Sequence, residues 1–155
     1  MEAGRLLIRE AKDSDLHALI ALFAADTMGG HGDTADPSAH DDYANAFRVI
    51  AASSNQALYA AELAGEIVGT FQTIVVTSLH GRGSSVMIIE SVQTRGDMRG
   101  QGIGAAMINF CIEEAKRCGM RMVQLTSNAA RKDAHRFYER LGFKPTHLGF
   151  KMLLK

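Results

Sequence analysis

Tryptophan is absent from this chain, and proline and cysteine occur only twice each. The two cysteines, Cys111 and Cys118, fall seven apart in a segment that reads as helix. Two helical turns separate them by roughly 10 Å, too far for a disulfide between them. They form no C-x-x-C pair, so both are expected to be reduced, half-buried helix residues. Net charge is also missing: 17 Lys and Arg balance 17 Asp and Glu. That balance excludes a nucleic-acid binder working through bulk positive charge, but leaves room for a local basic cradle around an anion. No apolar run approaches the ~18 residues that span a bilayer. The opening M-E-A-G-R-L-L-I-R-E lacks the charged, apolar and small-residue succession of a secretory signal. The expectation is a cytoplasmic protein with no membrane and no nucleic acid among its partners. With 155 residues and 46% hydrophobic content, the chain reads as one globular domain, 1–155.

What is present is a change of period along the chain. Leu6 to Arg9 reads as a first strand. A helix follows, capped by Asp13 or Ser14, with Leu16, Leu19, Ile20 and Phe23 on one stripe. The Gly- and Asp-rich stretch Thr27 to Asp42 reads as a loop, and a second helix as Asp42 to Ser53. Ala57 to Glu62 and Ile67 to Val76 form a hairpin around a tight turn at Ala64–Gly65 or Gly65–Glu66. Ser85 to Thr94 is a third consecutive strand. Gly102 to Cys118 then reads as helix, with Ile103, Met107, Phe110 and Cys111 on one side; Glu114 falls on the same side and blurs it. Met122 to Thr126 is a short strand, and Arg131 to Leu141 a helix with Ala134, Phe137, Tyr138 and Leu141 in register. Phe143 to Lys155 is expected to supply one or two last strands. The order β-α-α-β-β-β-α-β-α-β(-β) predicts a mixed-sheet α+β domain.

Glycine is plentiful, at 15 residues, and its placement is informative. In I-E-S-V-Q-T-R-G-D-M-R-G-Q-G-I-G-A, from Ile89 to Ala105, a strand ends and a helix opens on Arg99, Gly100, Gln101, Gly102, Ile103 and Gly104. Glycines at 100, 102 and 104 permit positive φ and leave backbone N–H groups uncovered. Successive exposed N–H groups at a helix N-terminus form an anion site, with Arg99 and Arg95 as sources of added charge. A P-loop is excluded because no Gly-Lys-Ser/Thr follows. A dinucleotide fingerprint fits Gly100-x-Gly102-x-x-Ala105, but the next strand, Met122 to Thr126, ends without the acidic residue that fingerprint requires. A turn with structural duty alone stays open on this motif by itself.

The turn is followed about forty residues later by F-Y-E-R-L-G-F, Phe137 to Phe143. Arg99, Gly102 and Gly104 after a strand, together with that second element and the order of elements over nearly the whole chain, resemble the GCN5-related N-acetyltransferase (GNAT) superfamily. The resemblance implies that backbone amides of residues 99–104 hold the pyrophosphate of acetyl-CoA (coenzyme A). It implies that the backbones of Val92, Gln93 and Thr94 pair with the pantetheine arm as an added strand would. It also implies a β-bulge near this point, opening a slot for the acetyl group. Tyr138 matches the family tyrosine that protonates the departing thiolate; the alternative is a core aromatic. Glu90 matches a glutamate that in some members takes a proton from the incoming amine; the alternative is a solvated strand residue. Many members carry Asn seven residues before the tyrosine, against the cofactor. Here that position is Arg131, and Asn128 lies three earlier; either is a candidate contact.

The resemblance therefore implies direct acetyl transfer to a primary amine of a small-molecule acceptor, without a covalent acyl-enzyme. A non-catalytic acyl-CoA-binding or sensing domain on the same fold is the alternative, and a dinucleotide-binding domain a third. Family members are often dimers, so a homodimer is an open expectation. His31, His40, Asp33, Asp36, Asp41 and Asp42 have no ligand-like spacing, and no metal is expected. In this family that loop forms one wall of the acceptor site, where carboxylates would attract a cationic amine; an ordinary solvated loop fits equally. His135 and His147 have no partner legible in the sequence.

Overall fold

The computed structural model describes residues 4–28 and 30–155. Residues 1–3, within the segment tested for a signal, and Gly29, within the acidic loop, lie outside the described residues. The chain divides into two compact units, Met1–Gln124 and Leu125–Lys155.

The first unit carries β1 (Leu7–Glu10), α1 (Leu16–Ala24), α2 (His40–Ala51), β2 (Gln56–Leu63), β3 (Glu66–Thr77), a single turn α3 (His80–Gly83), β4 (Ser85–Thr94) and α4 (Ile103–Arg117). The sheet runs β1-β2-β3-β4-β5, where β5 is Met122–Leu125. The first four strands pair antiparallel, as short connections between neighbours allow. The connection from β4 to β5 is instead the long α4 crossover. This is the α+β arrangement that the change of period predicted.

Burial explains the layering. Leu16, Leu19, Ile20 and Leu22 of α1 and Phe47 of α2 are buried; Leu16, Ile20 and Phe47 form one cluster with Leu58 of β2 against it. Ile103, Met107, Ile108, Cys111 and Ala115 form the buried stripe of α4. Phe110 of the same helix joins Tyr59 and Phe71, with ring centroids 5.2 and 6.0 Å away. Cys111 is fully buried rather than half-buried, and Cys118 is exposed. Burial pushes the Cys111 thiol up to about 12, so it carries no thiolate for nucleophilic work. Glu114, the residue that blurs the helix pattern, is held by Arg117 at 2.8 Å.

Three boundaries differ from expectation. Neither Asp13 nor Ser14 caps α1: residues 13–15 form a 3-10 turn, and Asp15 reaches back to the Lys12 N–H at 2.7 Å. The second helix starts at His40, earlier than expected, because Pro37–Ala39 already turn with Asp36 accepting from the Ser38 N–H. Residues 143–155 carry no strand. A strand requires a neighbour for its N–H and C=O groups, and among the described residues the last backbone pairing of this kind is Thr146 N–H to Lys144 C=O.

Asp15 is buried, and both its oxygens accept from Arg9, at 2.7 and 2.9 Å. The Arg9 hydrogen bonds, helped by the Lys12 N–H, hold its carboxyl below the usual carboxylate range. A carboxyl depressed in the folded state stabilises above its unfolded value, near 4, and loses that contribution as pH falls through the folded value. Asp15→Asn is expected to cost about 2 kcal/mol at neutral pH, because it removes one of the two carboxylates that hold the Arg9 guanidinium, leaving Glu62 at 2.8 Å as the other. Urea unfolding at neutral and strongly acidic pH checks this: the gap from wild type narrows in acid.

Candidate active site

The site is built where β4 ends. Thr70 pairs with Gln93, but Gln72 pairs with Glu90, so β4 carries one residue more than β3 across the same span. The extra residue makes a β-bulge at Ser91–Val92, and Ser91 takes φ 54 to accommodate it. Phe71, fully buried, stands on β3 opposite the bulge. The bulge expected from the resemblance is therefore present. A bulge reverses which face successive side chains occupy, so Gln93 and Thr94 fall on faces that strict alternation from Glu90 would not give them.

Beyond the bulge, Gln93 and Thr94 pair with Thr70 and Gly69 on β3. On the other side β5 begins against the start of β4, where the Arg121 N–H meets the Ser85 C=O at 2.9 Å. With four residues, β5 ends before reaching that far. The end of β4 thus offers backbone groups to an extended ligand. Gly69 helps to place it: a Cβ there would lie 2.9 Å from Met107 Sδ and 3.2 Å from the Gln93 carbonyl oxygen. The missing side chain lets α4 approach the sheet beside the strand end.

From Thr94 the chain passes through a 3-10 turn at Gly96–Met98 and reaches Arg99 in extended conformation. Gly100 and Gly102 then take φ 75 and 83, left-handed values that L side chains rarely adopt. Gly102 is the N-cap of α4, no side chain caps that end, and the first helical bond runs from the Ala106 N–H to the Gly102 carbonyl at 3.0 Å. The amides of Ile103, Gly104 and Ala105 precede that bond and have no intrahelical acceptor. A Cβ at Gly100 or Gly102 would meet nothing within 4 Å. The turn is an open amide-lined cradle at the positive end of a helix dipole, suited to a phosphate. Arg99 and Gln101 are exposed on it.

Arg95 does not join that cradle. Its guanidinium is 2.6 Å from Asp97 and 3.3 Å from Glu66, and the hydrogen bond from Arg95 holds the Asp97 carboxyl down. Sequence proximity to the turn suggested a phosphate contact, whereas two carboxylates already engage it.

Glu90 is exposed, opposite Gln72 on the residue before the bulge. One further carboxylate escaped the sequence reading. Gln93 Nε2 donates to Asp26 Oδ2 at 2.8 Å, bringing the segment after α1 to the bulged strand. The two are 67 positions apart, and no local pattern announces such a pair. In the acidic loop, Tyr43 Oη donates to Asp33 at 2.8 Å and accepts from the Thr34 N–H. Among the described residues no three His, Cys, Asp or Glu side chains are grouped as metal ligands would be.

The second unit holds the remaining candidates on and before α5 (Lys132–Arg140). Asn128 uses its side-chain oxygen locally, accepting from the Ala130 N–H at 2.9 Å, and its backbone carbonyl meets His135 Nε2 at 2.8 Å. His135 thus has a structural partner, as does His147 in Thr146. Arg131 is the N-cap residue of α5 and is half-buried. Tyr138 is half-buried, edge-on to Phe137 and Phe143 at 5.1 and 5.9 Å.

A bulged fourth strand running into a left-handed glycine turn and an uncapped helix defines the α+β fold of N-acetyltransferases. Residues 7–143 match the acetyltransferase (GNAT) family, and the chain belongs to it. Aminoalkylphosphonate N-acetyltransferase of Salmonella typhimurium is 36% identical over 90 residues, 58% of this chain and 58% of its own length. An uncharacterized N-acetyltransferase of Methanocaldococcus jannaschii is 52% identical over 48 residues, 31% of this chain and 21% of its own. The matches therefore span between about a fifth and three-fifths of these curated relatives. The crystal structure of a protein described as a transcriptional regulator, from Bacillus halodurans C-125, is 38% identical with a TM-score of 0.92 over 97% of this chain and 100% of that one.

Proposed function

We propose that this protein is an acetyl-CoA-dependent N-acetyltransferase acting directly on a primary amine of a small molecule. The observation that carries the proposal is the continuous path from the bulged end of β4 to the amide cradle at Gly100–Gly104. An extended amide-bearing arm and a pyrophosphate are the two ends of one ligand, and the path offers one site for each. The family match supports acyl-CoA as that ligand. The curated relative named for aminoalkylphosphonate, itself a small amine, supports the acceptor class.

In this proposal acetyl-CoA supplies an acyl group activated as a thioester. The backbones of Val92, Gln93 and Thr94 hold the arm, and Gly100, Gln101, Gly102, Ile103 and Gly104 the pyrophosphate, with Arg99 at the rim. Asn128 and Arg131 are the candidate contacts from the second unit. Glu90 takes a proton from the acceptor ammonium, which frees the nitrogen lone pair to attack the carbonyl carbon. The Val92 N–H steadies the carbonyl oxygen as charge builds on it. As the new C–N bond forms and the C–S bond breaks, Tyr138 gives its proton to the departing sulfur; the nitrogen then loses its second proton to solvent, from which Tyr138 is reprotonated, and Glu90 releases its own proton to solvent. The two units act in this reading as one transferase domain, in the cytoplasm.

A second reading is favoured by one observation: the 38%-identical solved chain is described as a transcriptional regulator. On that reading the cradle binds acyl-CoA without turnover. Calorimetry with acetyl-CoA, followed by thiol release across a panel of small primary amines, separates the two. Micromolar binding with amine-dependent thiol release is expected. Binding without release on any amine establishes the sensor instead, and stabilisation by NAD in preference to acetyl-CoA overturns both.

A further inference from the structure

The sheet face that α4 covers is not filled to its end. Glu10 on β1 pairs with Tyr59 on β2, which pairs with Phe71 on β3, so these side chains stand in one row on one face. Thr73 and Val75 follow Phe71 at every second position and share that face. Phe110 and Glu114 of α4, and Cys118 at its end, recur at every fourth position above it. The helix stops there, with Gly119 at φ 69, and a cavity of about 240 Å³ remains between helix and sheet. Met87 and Met120 add apolar wall. All of these residues belong to the first unit.

The charge of the lining has one sign. Glu10 and Glu114 line the cavity, and no Lys, Arg or His does. Arg117, outside the lining, holds Glu114 at 2.8 Å. Among the described residues Arg9 donates to the Glu10 backbone carbonyl, and no ion pair engages the Glu10 carboxylate. Two surface carboxylates alone do not make a site. Thr73 supplies a second observation, independent of charge. It is 7% exposed and lines the cavity. The nearby Thr70 gives its hydroxyl to the Tyr59 carbonyl, whereas among the described residues the Thr73 hydroxyl has no partner. Nor is it sealed, because no fully buried side-chain oxygen is left unsatisfied. A hydroxyl this deep costs free energy until something bonds it, and the cavity is where it is reached. The Tyr59 hydroxyl is held above its ordinary range by burial and then by the charges of Glu10 and Glu114, so both carboxylates act on the space beside that ring.

We propose that this cavity binds a small organic ammonium, its charged nitrogen among Glu10, Glu114 and the Thr73 hydroxyl and its apolar body against Phe110, Met87 and Met120. A primary ammonium carries three donors and no acceptor, and the lining offers carboxylate and hydroxyl oxygens to receive them. The rings of Tyr59 and Phe110, 5.2 Å apart, add attraction for a cation. An anion is repelled by the same lining. A metal ion lacks ligands, since among the described residues no three suitable side chains are grouped. Size sets the body: a cavity of about 150 Å³ takes benzene, so this one takes a ring with a short aminoalkyl chain. Met87 and Thr94 lie about 20 Å apart along β4, so the occupant is not the acceptor of the proposed transfer at the far end of that strand.

The probe is 2-phenylethylamine, charged at neutral pH, titrated into the full chain carrying ¹³C-labelled methionine methyl groups. The Met87 and Met120 methyl resonances are expected to shift and saturate with a Kd of about 0.3 mM. 2-Phenylethanol, the same body without the charge, is expected to bind at least about tenfold more weakly. Glu10→Gln is expected to weaken the amine about tenfold and Thr73→Val about fivefold. A readout on the unaltered chain stands if a variant fails to fold. Cys118 is exposed and lines the cavity while Cys111 is buried, so saturating amine is expected to slow alkylation of Cys118 by iodoacetamide about fivefold. Equal binding of the alcohol, shifts confined to Met28 beside the acidic loop, indifference to Glu10→Gln, or an unprotected Cys118 overturns the proposal. None of these readouts depends on acetyl transfer, so this proposal and the catalytic reading fail separately.

Discussion

Replacing Tyr138 by phenylalanine is expected to lower kcat about a hundredfold, while KM for acetyl-CoA changes by less than about twofold. The substitution removes one oxygen and keeps the ring. The edge-on contacts of Tyr138 with Phe137 and Phe143 are ring contacts, so the variant retains them. A residue that serves only as a packed aromatic would therefore lose almost nothing on this change. A proton donor would lose its whole role, because a thiol with a pKa near 8.5 leaves far more readily when protonated in step with bond breaking. An unchanged kcat would return Tyr138 to the role of a packed ring.

The second large effect is expected at Gly102. Its φ of 83 is available to glycine at little cost, whereas a β-branched residue there is strained by about 1–2 kcal/mol. Gly102→Val is expected to weaken acetyl-CoA binding at least about tenfold, because relief of that strain turns the amides of residues 103–105 away from a common focus. Nothing lies within 4 Å of a Cβ at this position, so the effect is conformational and not a clash. Gly83 provides the control. It has φ 72 and equally open surroundings, and it lies in the turn before β4, away from the cradle. Gly83→Val is expected to lower the melting temperature by a few degrees, about the effect of 1 kcal/mol, without altering affinity for acetyl-CoA. Calorimetric titration of both variants checks the pair; equal affinity losses would remove the backbone cradle from the binding argument.

Much of this architecture was legible because its causes are local. The change from a two-residue to a 3.6-residue period located β2, β3, β4, α4 and α5 to within a few positions. Gly100 and Gly102 announced a left-handed turn since no other residue adopts that backbone freely. The bulge was legible only through resemblance: nothing about Ser91 or Val92 as residue types reveals that β4 advances three positions while β3 advances two.

What escaped the sequence depends on distant partners. Arg95 is five residues from Gly100 and was a natural phosphate ligand by proximity, until Asp97 and Glu66 are seen to hold its guanidinium. Asp26 carries no local signature, and its hydrogen bond from Gln93 gives it a place at the bulged strand. The one or two strands expected within Phe143–Lys155 are absent, because a strand is a property of two segments and among the described residues none pairs with this one.

The sequence by itself thus determined the order of elements as far as α5, the glycine cradle and the family, because period, backbone freedom and motif spacing are written residue by residue. Only the tertiary structure decided which charges are already spent on one another, which carboxylate stands beside the bulged strand, and that residues 143–155 carry no strand. Those are matters of long-range pairing. A side chain's hydrogen-bond partner, or a strand's, is set by the fold around it and not by the residues on either side.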